Sequence, residues 1–283
     1  MEAMYYQKEG AGSVRCLLCP HHCLIPPGRT GKCHTRRNAD GTLTLLTYGQ
    51  CASAALDPIE KKPLRHFHPG TQILSLGSPG CNLACPWCQN WQISQAIPVC
   101  ETITPESVYR TAVSLREAGN IGVAWTYNEP CTWYEFIRHT APLIQSAGMV
   151  NVMVTNGYIE KEPLAELLPF IDAWNIDLKA WNDATYRHYC QGTLEPVKET
   201  IRAAAAHQHV EVTCLIIPGL NDDPGDMDNL AAWLASLRPD IPLHITRYFP
   251  RYHMTEAPTP VATLQTLQAI AAKHLQYVYL GNV

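Results

Sequence analysis

The chain has 283 residues and a formal net charge of −4, from 21 Lys and Arg against 25 Asp and Glu. Hydrophobic residues make up 46% of it, enough to bury a substantial core in one large domain or one domain with a small appendage. The slight acidity argues against binding to phosphate backbones, so we expect no nucleic-acid partner. The uncharged stretch 71–100 is broken by Pro, Asn and Gln, which argues against a transmembrane helix. No apolar signal peptide opens the chain, so we expect a cytoplasmic protein that does not associate with membranes.

Residues 1–68 form a loop-rich, cysteine-rich segment, with a predicted hairpin around 38–41. Four cysteines lie within eighteen residues and are called the N-terminal cysteines: Cys16, Cys19, Cys23 and Cys33. Because such a segment has little core of its own, a bound metal would contribute to its folding. A zinc ion held by four thiolates is the simpler prediction, and an auxiliary iron–sulfur cluster is the alternative.

From residue 71 onward, short apolar runs alternate with helical patterns. The predicted strands are 73–76, 122–126, 151–155, 173–177, 210–217, 243–247 and 277–280. The predicted helices are one beginning at Thr104-Pro105 and the segments 131–147, 160–168, 195–207, 225–237 and 259–274. This alternation indicates an α/β fold with a parallel sheet of six or seven strands. Because no dinucleotide fingerprint follows any strand, a barrel or partial barrel over 69–283 is preferred to a doubly wound sheet.

Three further cysteines follow the first predicted strand closely and are called the loop cysteines: Cys81, Cys85 and Cys88. Spacings of four and three on one loop allow all three thiolates to face one centre, which leaves a fourth coordination position open for a substrate or cosubstrate. A structural zinc site usually has four ligands, and no fourth Cys or His follows nearby. The loop also lies at the carboxyl end of a strand, where barrels carry their active sites.

The Cys-x3-Cys-x2-Cys spacing, with an aromatic residue before the last Cys, resembles the signature of the radical S-adenosylmethionine (SAM) enzymes. The strand-end segments 122–130, 154–157, 175–179 and 216–223 are similar, in order, to those of pyruvate formate-lyase activating enzymes. The radical SAM family of the AmmeMemoRadiSam system is the more similar, since it shares the Cys-Leu-Leu-Cys-Pro opening, the segment 60–64 and the stretch 247–254. One departure is that Tyr127-Asn128 replaces the Gly-Gly that precedes Glu-Pro in the activating enzymes.

The resemblance implies a partial (β/α)6 TIM-like barrel of the radical SAM type. It also implies a [4Fe–4S] cluster on the loop cysteines and an oxygen-sensitive enzyme. In such an enzyme, an electron donor such as flavodoxin or ferredoxin would reduce the cluster. The residues that it assigns to the SAM pocket are Trp87, Gln89, Asn128, Glu129, Asn156, Asp177 and Lys179. Memo-like and AMMECR-like proteins are implied as partners, while the substrate is not identified.

Several of these residues also have simpler explanations. Glu129 at a strand end suits an ammonium, but it could instead complement the dipole of the following helix. Asp177 and Lys179 share one face of a strand, where an ion pair is costly to bury without a function, although they could form a structural pair at the rim. Asn156 could belong to a simple turn. Arg247 and His253 are the candidates for a catalytic or carboxylate-binding role.

Three functions are therefore compared. The favoured one is a radical SAM enzyme that abstracts hydrogen from an unidentified substrate. The first alternative is an activating enzyme of a glycyl-radical enzyme, and the second is a non-catalytic, metal-binding regulatory protein. For the favoured function we expect residues 1–68 and the loop 247–255 to line the substrate channel, with a cap at the bottom of the barrel as the alternative role of 1–68.

Overall fold

The computed structural model describes residues 1–283. Seven parallel strands form the centre, each within two residues of its predicted bounds: β8 Gln72–Gly77, β10 Asn120–Trp125, β11 Val150–Thr155, β12 Ala173–Asp177, β13 His209–Ile216, β14 Leu243–Arg247 and β15 Val278–Gly281. They pair in chain order, from β8 at one side to β15 at the other. A doubly wound sheet reverses its strand order, so this order identifies a partial barrel. The fold prediction is confirmed.

The helices connect these strands, as the alternation predicted. Their bounds are α1 Trp91–Ser94, α2 Pro105–Ser114, α3 Tyr134–Ser146, α4 Lys161–Leu167, α5 Asp183–Thr185, α6 Leu194–Ala205, α7 Pro224–Leu237 and α8 Val261–Ala271. Helix α2 begins with the predicted Thr104 cap, whose side chain accepts from Ser107 N while the Ser107 hydroxyl accepts from Thr104 N. None of the helices has both the length and the apolar character needed to cross a bilayer.

The N-terminal segment contains more strand than the sequence indicated. Its seven strands are β1 Tyr6–Lys8, β2 Val14–Cys16, β3 Leu24–Ile25, β4 Arg36–Ala39, β5 Thr42–Leu45, β6 Gln50–Cys51 and β7 Ser53–Pro58. Strand β9, Glu101–Thr102, lies in a later loop. Strands β4 and β5 form the predicted hairpin, in which Asp40 (φ 49°) and Gly41 (φ 87°) supply the left-handed turn.

The N-terminal segment also packs into the barrel instead of forming a separate layer. Strand β7 pairs antiparallel with β8 and extends the sheet to eight strands. Because β15 and β7 are not paired with each other, the barrel stays open between them. The fully buried Arg36 donates to both carboxylate oxygens of Glu135 at 2.7 Å, which anchors the hairpin to α3. The predicted N-terminal segment, residues 1–68, therefore includes one strand of the barrel sheet, β7.

Candidate active site

A cavity of about 380 Å3 opens at the carboxyl ends of the parallel strands. All three loop cysteines line it, as does every residue predicted for the SAM pocket: Trp87, Gln89, Asn128, Glu129, Asn156, Asp177 and Lys179. These residues come from the ends of β8, β10, β11 and β12, which the parallel sheet brings to one edge. Two surface grooves of about 450 and 570 Å3 lie elsewhere, and no predicted site residue lines them.

The loop that carries the three cysteines is held in place by amide side chains. Asn128 donates to the Gly80 carbonyl at 2.7 Å and to the Ser78 hydroxyl at 2.9 Å. Asn156 donates to Asn82 Oδ1 at 2.9 Å, and Asn82 donates to the Tyr158 carbonyl at 2.7 Å. Asn128 and Asn156 thus connect the ends of β10 and β11 to the loop, in addition to facing the cavity.

The environment of the loop cysteines suits thiolate ligands. Cys81 Sγ accepts from Leu83 N at 3.4 Å and lies 3.7 Å from Asn156 Nδ2, and N–H groups of this kind stabilise a ligating sulfur. Burial, and then the nearby Glu129 carboxylate, raise the pKa of the Cys81 thiol well above its usual value, so binding of a cationic centre must displace its proton. No three cysteine, histidine or acidic side chains are close enough to hold one metal ion. A four-iron cluster does not require the three thiolates to share one ion, because each thiolate binds a different iron.

Glu129 is the most unusual acidic residue of the cavity. Its buried carboxylate accepts from Cys131 N at 3.0 Å, Thr155 Oγ1 at 2.7 Å and Asn156 N at 2.7 Å. Burial raises its pKa in spite of these bonds. The other buried acidic residues each pair with a basic side chain: Asp57 with Lys62, Glu135 with Arg36, and Glu211 with His244. Glu129 alone lacks a cationic partner, which is the environment that a ligand ammonium would complete.

Asp177 and Lys179 form an ion pair with 2.6 Å between Lys179 Nζ and Asp177 Oδ2, and both line the cavity. Burial lowers the pKa of Lys179, but the Asp177 carboxylate outweighs this effect and the net shift is upward. Lys179 therefore stays charged. The two side chains share one face, as their spacing predicted, and that face is turned to the cavity.

Arg247 and His253 lie outside the cavity wall. Arg247 Nε donates to the Thr259 carbonyl at 2.8 Å, and its guanidinium lies over the Phe249 ring. His253 is exposed, and its backbone N–H donates to the Pro86 carbonyl at 2.9 Å. The loop 247–255 thus supports the cysteine loop from outside.

Residues 1–68 were expected to line the substrate channel, and a short part of this segment lies in the cavity wall. Within residues 1–68, Lys61, Lys62 and Pro63 line the cavity. Ile59 and Leu64, on either side, are fully buried and pack on Ile73 and Val152. The segment therefore lines the cavity with its polar side chains and fills the barrel interior with its two apolar ones. In the sequence, the segment 60–64 was distinguished by its similarity to the AmmeMemoRadiSam family, and the spacing of its two lysines alone does not point to a site.

The N-terminal cysteines also come together, around a second and much smaller cavity of about 10 Å3. A void of this size has room for about one water molecule. As they stand, the four sulfurs do not form a single-ion site, and a void of about 10 Å3 is smaller than a four-iron cluster. The structure thus brings together the four thiols that the sequence assigned to one metal centre.

Comparison with known proteins identifies the family. The protein MJ0808 of Methanocaldococcus jannaschii, described as uncharacterized, is 45% identical over 290 residues, which cover 100% of this chain and 85% of that protein. A domain of the pyruvate-formate lyase-activating enzyme from Bacteroides vulgatus has a TM-score of 0.50 at 22% identity, over 57% of this chain and 99% of that one. Streptococcus suis SuiB bound to S-adenosylmethionine has a TM-score of 0.58 at 12% identity, over 72% of this chain and 48% of SuiB. These two structural likenesses show the fold. The family model of the radical SAM superfamily matches residues 76–231, more than half of the chain. The chain therefore belongs to the radical SAM superfamily.

Proposed function

We propose that this protein uses a [4Fe–4S] cluster on the loop cysteines and a SAM molecule in the adjacent cavity to abstract hydrogen from a substrate. The observation that carries the proposal is the arrangement of the cavity: three thiols and an uncompensated buried carboxylate share one wall at the carboxyl ends of the strands. When bound and reduced, such a cluster supplies the electron that cleaves SAM and yields a 5′-deoxyadenosyl radical.

The chain's own residues would position the cosubstrate. Glu129 would accept the ammonium of SAM, because its carboxylate is already oriented by three donors. The Asp177–Lys179 pair, on the neighbouring strand end, offers both a cation for the SAM carboxylate and an acceptor for a hydroxyl. Trp87 and Leu83, both buried, give the cavity apolar surface that excludes water.

Within the superfamily we place the protein in the AmmeMemoRadiSam system, supported by the N-terminal cysteines and the segment 60–64. We expect flavodoxin or ferredoxin as electron donor and Memo-like and AMMECR-like partners. The cytoplasm suits a chain whose twelve cysteines are all unbridged. The N-terminal cysteines are proposed to hold a zinc ion or an auxiliary iron–sulfur cluster, which supports the segment that lines the cavity.

Anaerobic reconstitution tests the proposal. We expect about four irons and four sulfides per cluster, a reducible visible absorption band, and 5′-deoxyadenosine formed from SAM after reduction. A non-catalytic metal-binding protein would contain metal but yield no 5′-deoxyadenosine. An activating enzyme would, in addition, create a glycyl radical on a partner protein, detectable by electron paramagnetic resonance.

A further inference from the structure

The segment Ile59–Leu64 follows β7, which ends beside the first residue of β8, so it enters the barrel at the amino-terminal ends of the parallel strands. From there Lys61, Lys62 and Pro63 line the cavity. The two apolar ends of the segment are fully buried in the barrel, and Asn175 of β12 donates to the Pro63 carbonyl at 2.9 Å. These contacts hold the backbone firmly, so the side chains of Lys61 and Lys62 occupy defined positions. None of the proposed contacts to SAM explains why two lysines lie here.

Lys62 is a buried cation with few partners. Its side chain is only 3% exposed, yet its ammonium has one hydrogen-bond acceptor in the protein, Asp57 Oδ2 at 2.8 Å. An ammonium has three N–H donors, and burying it costs several kcal/mol unless those donors are satisfied. The only other polar contact of this ammonium is with the Tyr127 ring, whose centre lies 4.7 Å from Lys62 Nζ, and Lys62 is one of the residues that line the cavity. Lys61, which is 67% exposed, binds the other Asp57 oxygen at 3.2 Å.

Tyr127 orients this pair at a cost in backbone strain. Its hydroxyl donates to Asp57 Oδ2 at 2.6 Å, and its ring lies 4.7 Å from Lys62 Nζ. Tyr127 has a φ of 72°, a left-handed conformation that is strained for a residue other than glycine and is typical of functional sites. Gly77 makes room for it, since a Cβ there would lie about 3.0 Å from the Tyr127 ring. Asn90 donates to the Tyr127 carbonyl, which connects this group to the cysteine loop.

The charges of the cavity are unevenly distributed. Lys61 and Lys62 carry two positive charges against the single negative charge of Asp57. Asp177 and Lys179 together are neutral, and SAM, whose ammonium, carboxylate and sulfonium sum to one positive charge, would balance the single negative charge of Glu129. The uncompensated positive charge is therefore on the Lys61–Lys62 side, where an anionic oxygen group would be stabilised.

We propose that Lys62, oriented by Asp57 and Tyr127, binds an anionic oxygen group of the substrate, a carboxylate or a phosphate. The proposal rests on the proposed function, because it places the substrate in the same cavity as SAM. It assigns a substrate class to a segment of the chain that the cluster and SAM do not use.

Anion titration of the reconstituted, SAM-loaded full chain tests this proposal. Inorganic phosphate and glutarate are the probes, and binding is followed by isothermal titration calorimetry at constant ionic strength, because the heat of binding at one site saturates, whereas Tm keeps rising with the logarithm of ligand concentration. We expect saturable binding of at least one probe, weakened at least tenfold in Lys62→Gln and largely kept in Lys62→Arg. The exposed Lys273 provides the control, Lys273→Gln, which removes the same charge outside the cavity and should bind as wild type does. Saturation by phosphate alone or by glutarate alone distinguishes the two anionic groups.

Lys62→Gln removes the main cationic partner of Asp57. If the Lys62→Gln protein does not fold, a second variant provides the test. Asp57→Asn with Lys62→Gln removes both charges and keeps similar shapes, and it should fold but lack anion binding. If neither probe saturates wild type, or if this double variant binds the probe as tightly as wild type does, the proposal is overturned. Iron content and SAM cleavage of wild type, measured on the same preparation, report separately on the proposed function.

Discussion

Replacing Glu129 by Gln should separate SAM binding from stability, because this buried carboxylate lacks a cationic partner in the protein. The amide keeps one oxygen for Cys131 N and Thr155 Oγ1 but places an NH2 group against Asn156 N. One hydrogen bond is therefore lost, at about 1 kcal/mol, while the cost of burying an unpaired charge disappears. We expect the free energy of unfolding without SAM to change by no more than about 1 kcal/mol.

The effect on SAM should be much larger. A hydrogen bond between charged groups contributes roughly 1.5–3 kcal/mol, so the loss of the Glu129 charge should raise the Kd for SAM by about 10- to 150-fold. Isothermal titration calorimetry on the anaerobically reconstituted protein measures this change, and iron analysis shows whether the cluster content is unchanged.

Glu135 provides a matched control, since it is equally buried but pairs with Arg36 through both oxygens. Glu135→Gln leaves a buried guanidinium without its counter-charge and should lower the free energy of unfolding by about 3–5 kcal/mol. It has no direct contact with the cavity, so folded protein should bind SAM normally. A Glu129→Gln protein that binds SAM with the wild-type Kd would refute the assignment of this carboxylate to the ammonium.

Four further predictions use other parts of the molecule. Replacing the three loop cysteines by Ala should abolish both the reducible cluster and SAM cleavage, and retention of either would contradict their assignment. Metal analysis of that triple variant should still find one centre on the N-terminal cysteines. About one zinc per chain would indicate the structural site, and residual iron and sulfide would indicate a cluster. If neither is found, both assignments are wrong. Arg247→Ala should leave the Kd for SAM within about twofold, because its guanidinium bonds to the Thr259 carbonyl outside the cavity, and a tenfold loss would place Arg247 in the pocket. Burial tends to raise the pKa of Glu211, but hydrogen bonds from His209 and His244 outweigh this effect and lower the pKa to about 2. Ionised Glu211 should therefore contribute on the order of 3 kcal/mol to the free energy of unfolding, and this contribution should be lost as the pH falls from the ordinary glutamate pKa toward 2. Acid unfolding of Glu211→Gln, compared with wild type, measures it.

The sequence alone was sufficient for the features that depend on neighbouring residues. Apolar runs and helical periodicity placed all seven parallel strands, because these patterns report which face of each element is buried. The Thr104 cap and the hairpin turn at Asp40-Gly41 are likewise set by local hydrogen bonding and backbone conformation. Since parallel strands meet at one edge, residues at their carboxyl ends could be expected to share one site before any distance was known.

Tertiary structure alone decided which distant side chains meet. The antiparallel β7, the burial of Lys62 in the cavity and the left-handed Tyr127 each depend on how the N-terminal segment enters the open barrel, and no local pattern encodes that path. Arg247 shows the opposite case, because a strand-end position suggested a site but the carbonyl of Thr259 directs its side chain away. Residue spacing determines which face of an element a side chain occupies, whereas contacts between remote segments determine what that face meets.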